Sequence, residues 1–101
     1  MKLNIGCGGN KIEGYINIDA FPGLNPDLLM DISQTVLPQA SDSVEEVICY
    51  HTLEHIEPEK HEFVLGEINR VLKLDGSLFL SFPDGRKICE NYLSNKWGIL
   101  S

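Results

Sequence analysis

Leu3-Asn4-Ile5-Gly6-Cys7-Gly8-Gly9-Asn10 is the stretch whose reading decides the fold. Three residues of strand character run straight into glycines at positions 6, 8 and 9. A buried strand followed by such a turn lets a ligand touch backbone, which is the shape of a nucleotide-type cofactor site. The plainer alternative is a tight turn with no ligand, because glycine punctuates turns of every kind.

Outward from that turn, Lys2 to Ile5 reads as a first strand and Tyr15 to Asp19, alternating apolar and polar, as a second. Only Gly9 to Gly14 lie between them, whereas a parallel pair normally needs a crossover of about a dozen residues, usually helical. Either the crossover is an abbreviated, irregular loop or one of the two is not a strand, and both strands are kept here. Ala20 to Asp27, with two prolines and a glycine, is a loop leading into a third apolar run, Leu28-Leu29-Met30, which ends in Asp31. Ser33 to Glu46 reads as a loop with one helical turn, delivering the chain to a fourth buried strand, Val47 to Tyr50. Pro58 suits the first turn of a helix, and Glu57, Glu59 and Glu62 place negative charge at its positive end. Phe63, Val64, Ile68, Val71 and Leu72 recur at helical spacing, so a helix is expected from about Pro58 to Leu72. Asp75-Gly76 then turns the chain into a fifth strand, Ser77 to Phe82, stopped by Pro83. One more helix is expected around Arg86 to Leu93, ahead of an apolar end at Trp97-Gly98-Ile99-Leu100.

Short strands separated by loops and a helix imply a mostly parallel α/β sheet. In such sheets ligands bind beyond the carboxyl ends of the strands. Gly6 to Asn10, Asp19, Asp31 and His51 to His55 each follow a strand, so these residues are the candidates for a shared site.

Composition narrows the function further. The chain of 101 residues is 43% apolar and 23% charged, ordinary for one globular unit. Eight Lys and Arg against 15 Asp and Glu leave a net charge of −7, a surface that repels phosphate backbones and argues against nucleic acid as a partner. No apolar run approaches the roughly 18 residues of a membrane span, and no signal-peptide pattern opens the chain, so a soluble, cytoplasmic protein is expected. Cys7, Cys49 and Cys89 form no C-x-x-C pair and read as reduced packing residues. His51 and His55 stand at i, i+4 with no third ligand type nearby, so no metal is expected.

Four pieces in order resemble the class I S-adenosylmethionine-dependent methyltransferases, especially the small-molecule branch known as type 11. Leu3-Asn4-Ile5-Gly6-Cys7-Gly8 is similar to that family's strand and Gly-x-Gly, and Leu37-Pro38 with Asp42-Ser43-Val44-Glu45-Glu46-Val47 resembles its approach to strand four. His51-Thr52-Leu53-Glu54-His55 matches its His-x-Leu-Glu-His, and Glu67-Ile68-Asn69-Arg70-Val71-Leu72-Lys73 resembles its Glu-x-x-Arg-Val-Leu-Lys. The resemblance covers residues 3 to 84.

The resemblance implies a Rossmann-like methyltransferase fold over residues 1–101, binding S-adenosyl-L-methionine, releasing S-adenosyl-L-homocysteine and methylating a small-molecule acceptor. Gly6, Cys7 and Gly8 would make room for the cofactor, and Asp19 would accept hydrogen bonds from both ribose hydroxyls, with Ala20 beside it. Asp31 would accept from the adenine amino group with Ile32 facing the ring, although Asp-x-Ser equally starts a turn by capping it. Phe21 would pack on the adenine or lie in the core or on the surface. Tyr50 and His51 would complete the pocket, with His55 as a candidate general base.

Three features depart from the family pattern: the missing first helix, Leu-Asp-Gly in place of Lys-Pro-Gly-Gly, and no final antiparallel hairpin. Strand five would then be an open edge, explained either by truncation or by two chains pairing through Ile88, Tyr92, Leu93, Trp97, Ile99 and Leu100. The alternative function is a non-catalytic domain of degenerate methyltransferase fold that binds cofactor or a partner. A nicotinamide-linked oxidoreductase is disfavoured because Lys11-Ile12-Glu13-Gly14 is too short for the helix it requires.

Overall fold

Strands β1 (Lys2–Ile5), β2 (Ile16–Asp19), β3 (Leu28–Leu29), β4 (Val44–Cys49) and β5 (Leu72–Ser81) run parallel in the order β3-β2-β1-β4-β5, and β6 (Lys87–Asn91) adds an antiparallel strand beyond β5. The computed structural model describes residues 1–81 and the backbone of 87–91. One helix, α1 (Pro58–Val71), joins β4 to β5.

Alternation along the strands decides which face carries the core. Leu3, Ile5, Ile18, Val47, Cys49, Leu78 and Leu80 point to one face and are buried with Val64, Leu65, Ile68 and Val71 of α1. The crossover from β3 to β4 adds Ile32 and Leu37 to the same cluster. Helix α1 begins at Pro58, as its sequence predicts. Its buried stripe contains Leu65 rather than Phe63, which is 39% exposed. Positions 64, 65, 68 and 71 share one helical face, and Phe63 sits a full 100° step to the side of Val64, away from Leu65.

The opposite face explains how β1 and β2 pair in parallel with only a loop between them. Asn4 and Asn17 are register partners and both are buried. Asn4 Nδ2 donates to Asn17 Oδ1 at 2.9 Å and to the Asn10 carbonyl at 3.0 Å. Asn17 Oδ1 also accepts from the Ile12 amide, and Asn17 Nδ2 donates to the carbonyls of Ile12 and Tyr15 and to Asp27 Oδ2. Two asparagines thus take the place of a packed helix, satisfying loop backbone that would otherwise be buried without partners.

Two expectations are corrected at the far edge. Lys87–Asn91 is a strand and not part of a helix over Arg86 to Leu93, and β5 is not an open edge. Register partners from Ser77↔Asn91 to Ser81↔Lys87 satisfy the backbone groups that an uncovered β5 would leave unpaired. The fifth strand also starts earlier than Ser77: α1 passes directly into Leu72, which pairs with Val44, and Lys73–Gly76 bulge out before pairing resumes at Glu46↔Ser77. β4 correspondingly begins at Val44 instead of Val47. The apolar tail from Tyr92 to Leu100, with the chain pairing proposed through it, and the side chains of Ile88 and Cys89 lie outside the described residues.

Candidate functional site

The carboxyl ends of β1, β2, β3 and β4 converge around Asp19. The turn after β1 is set by Gly6, whose φ is +67° and whose amide donates to the Ile18 carbonyl at 2.8 Å. The Cys7 amide donates to the same carbonyl at 3.1 Å, anchoring the turn to β2. A side chain at Gly6 is excluded, because its Cβ would lie 2.1 Å from Thr52 Oγ1. Thr52 in turn donates its hydroxyl toward the carbonyls of Ile5 and Tyr50. The space at Gly6 is therefore filled by the protein itself. Gly8 differs: its φ is +55° and nothing stands within 4 Å of where a Cβ would be.

Asp19 ties the strand ends together. Its Oδ2 accepts from the Gly8 amide at 2.9 Å and its Oδ1 from the Phe21 amide at 2.9 Å. A carboxylate offers about four acceptor positions, so two remain for a ligand. Asp31 Oδ1 accepts from the amide and hydroxyl of Ser33 at 3.0 and 2.6 Å, which makes it the start of the turn that follows β3. Its second oxygen has no partner among the described residues.

Two adjoining cavities meet at this point. The smaller, about 350 Å³, is lined by Gly6, Asp19, Ala20, Asp31, Ile32 and His55, together with Met30, Ser33 and Thr52. The larger, about 760 Å³, is lined by Cys7, Gly8, Asn10, Lys11, Tyr50 and His51 among others. Gly6, Asp19 and His55 border both. Both volumes fall in the range of small-molecule sites. Of the residues expected from the sequence, only Phe21 is not brought in: it lines neither cavity, is 61% exposed and packs beside Gly23.

The region after β4 owes its shape to contacts that span the chain. His51 has a left-handed backbone, φ +56°, held by its amide donating to Ser81 Oγ at 2.6 Å, and its Nδ1 lies 3.5 Å from Glu54 Oε2. His61 on α1 reaches back with Nε2 to the carbonyls of Leu53 and Ile56, at 2.8 and 2.9 Å. Two carbonyls can only accept, so this nitrogen carries the proton. That bond fixes the 3-10 turn Leu53–His55 and with it the position of His55. The thiols nearby are quiet: burial pushes Cys49 up to about 12, against the lowering contribution of a Thr52 hydrogen bond. Burial, then the charge of Asp19, raises Cys7 as well.

Comparison with known proteins agrees with this geometry. A family sequence model described as a methyltransferase domain matches residues 15–80. The chain belongs to the methyltransferase domain family. Members of this family use S-adenosylmethionine. A search of curated protein sequences finds no match. Among solved structures, an S-adenosylmethionine-dependent methyltransferase from Archaeoglobus fulgidus superposes with a TM-score of 0.68 at 20% identity, over 78% of this chain and 42% of that one. The PH0226 protein from Pyrococcus horikoshii gives 0.67 at 20% identity, over 78% of this chain and 47% of its own. A methyltransferase structure from Methanosarcina mazei gives 0.61 at 18% identity, covering 93% and 73%. These likenesses establish the fold, and the chain spans less than half the length of the first two structures.

The residues of this methyltransferase domain fit the family's cofactor in three respects. Open space lies over Gly8, acceptor capacity remains on Asp19, and Asp19 borders both cavities. Sequence reading missed Thr52, Ser33, Lys11 and His61. Thr52 and Lys11 stood inside quoted stretches but carried no local signal, since their roles come from contacts across the fold. Ser33 was visible as the end of Asp-x-Ser. Among the described residues, no helix is long and apolar enough to cross a membrane.

Proposed function

We propose that this domain binds S-adenosyl-L-methionine in the joined cavities and supports methyl transfer to a small-molecule acceptor, with S-adenosyl-L-homocysteine as product. The observation that carries the reading is Asp19, placed where the glycine turn, the Asp31–Ile32 segment and His55 meet. When bound, the cofactor supplies a methyl group activated by a sulfonium. The protein's part is to bind, orient and exclude water. Asp19 would take the ribose hydroxyls on its remaining lone pairs, Asp31 and Ile32 the adenine edge, and the cavity wall of Tyr50, His51 and His55 would face the acceptor. His55 stands at the border of both cavities, where it could receive the acceptor's proton. His55→Ala with unchanged turnover would remove that role.

The glycine turn argues against a dinucleotide. A pyrophosphate is held by a row of unsatisfied backbone amides at a helix N-terminus, yet five of the seven amides from Gly6 to Ile12 donate within the protein and no helix follows the turn before β2. Calorimetric titration with S-adenosylmethionine, S-adenosylhomocysteine and NAD tests this directly. Binding of both adenosyl compounds and not of NAD is expected, and binding of NAD alone would overturn the reading. A non-catalytic cofactor-binding domain is the second reading. It predicts homocysteine-form binding with no methyl transfer to any acceptor.

A further inference from the structure

Resting on the proposed cofactor site and naming its acceptor class, we infer that the methyl acceptor sits in the larger cavity over the sheet face opposite α1, donating a hydrogen bond to Asn4 Oδ1. The class is a neutral, mostly apolar molecule with one hydroxyl or N–H donor, such as a phenol. Asn4 and Ile48 are register partners on β1 and β4, so their side chains share that face. Both border the larger cavity, with Ile12 and Tyr50. The cavity therefore reaches from the glycine turn onto a part of the sheet where the described residues place no helix. Ile12 is held there through both backbone groups, its amide donating to Asn17 Oδ1 and its carbonyl accepting from Asn17 Nδ2.

Asn4 is only 4% exposed, yet one of its polar atoms is unused. Its two amide protons go to the Asn10 carbonyl and to Asn17 Oδ1. Asn17 Oδ1 accepts from the Ile12 amide as well, so the orientation of both side-chain amides is fixed and Asn4 Oδ1 is the free end. No described residue donates to this oxygen, and the protein does not seal it off. A lone acceptor calls for a donor and repels an anion. Lys11, bordering the same cavity, disfavours a cation, so the donor is neutral. Ile12, Ile48 and Tyr50 supply apolar surface. With the amide protons of Asn4 spent, a polyol lying on this face would bury hydroxyls without partners, whereas an apolar ring with one donor leaves none.

The competing account is that a water molecule meets Asn4 Oδ1 and the cavity takes no acceptor. Amide-shift mapping by NMR on the full chain, saturated with S-adenosylhomocysteine, separates the two accounts. The probes are phenol and anisole, which keeps the ring and its oxygen and lacks the donor. Phenol is expected to bind with shifts centred on Asn4, Ile12 and Ile48, about tenfold more tightly than anisole, the scale of one hydrogen bond to a buried acceptor. Asn4→Leu should abolish that preference, and the wild-type comparison decides alone if this variant does not fold. Equal binding of the two probes, shifts centred elsewhere, or no phenol binding at millimolar concentration overturns the inference while leaving the cofactor site standing. Displacement of S-adenosylhomocysteine by phenol puts the ring in the cofactor's seat and overturns it too. Failure of the chain to bind S-adenosylhomocysteine overturns the cofactor reading and the acceptor assignment with it.

Discussion

Gly6 and Gly8 stand two positions apart in one turn, yet different neighbours hold each of them to glycine. At Gly6 a Cβ would strike Thr52 Oγ1, and the backbone is left-handed. Gly6→Ala should therefore lose about 2–4 kcal/mol in urea unfolding, and adding Thr52→Ala should recover the part due to overpacking. At Gly8 the backbone is left-handed but the space is open. Gly8→Ala should lose only about 1–2 kcal/mol while weakening S-adenosylhomocysteine, because the new methyl enters the cavity. Equal stability losses in the two variants would contradict this division. Cys49 offers a second test at this scale. With its thiol pushed up to about 12 and no exposed surface, it should resist thiol reagents at pH 8 and react only as the chain unfolds. Site mapping by mass spectrometry after native and denatured labelling measures it.

Among the elements, α1 does more than cover the sheet. Glu67 and Arg70 form a forked ion pair at i, i+3, and both reach the β3 to β4 crossover: Glu67 Oε1 accepts from the Leu37 amide at 2.8 Å, and Arg70 Nη2 donates to the Leu37 carbonyl at 2.9 Å. The Glu-x-x-Arg spacing was legible in the sequence as part of a family-like motif, but what its two side chains reach was not. The clamp depends on a segment some thirty positions away in the chain, beyond the reach of helical periodicity. Arg70→Ala should cost about 1–2 kcal/mol, discounted for partial exposure. The Arg70 side chain, with the Leu37 amide, holds Glu67 below its ordinary value of 4.5. The Asn17 backbone and side-chain amides likewise hold Asp27 below 3.8. In both cases the folded state binds protons less readily than the unfolded state, so stability is fully present above these ordinary values and is lost as pH falls below them. The urea midpoint should fall between about pH 4.5 and pH 3, and fall less in Glu67→Gln; an equally steep decline in that variant would remove Glu67 from the account. The element scale also holds the largest misreading. β6 takes the place of an expected helix because pairing along β5 satisfies a row of backbone groups, and the sequence signal was Pro83-Asp84-Gly85, a turn pattern between two strands.

For the whole molecule, one face of the sheet is packed by α1 and the other is held by the paired asparagines Asn4 and Asn17, with the cavities at the carboxyl ends of the strands. A ligand bound there stabilises only the folded chain. S-adenosylhomocysteine at a hundred times its Kd should therefore add about 2.7 kcal/mol of stability. A melting temperature indifferent to it at that concentration would contradict the site. The identities of β1 to β5, the glycine turn, the start of α1 at Pro58 and the presence of acids at the ends of β2 and β3 were determined by the sequence alone, because side-chain alternation, helical spacing and turn chemistry are set within a few neighbouring residues. Tertiary structure decided what those residues meet: Thr52 filling the space at Gly6, Asp19 bonded to Gly8 and Phe21, Phe21 turned away from the cavities, Lys11 reaching Asn25, and β6 closing the edge. Each of these depends on two segments brought together by packing, and local spacing carries no record of the partner.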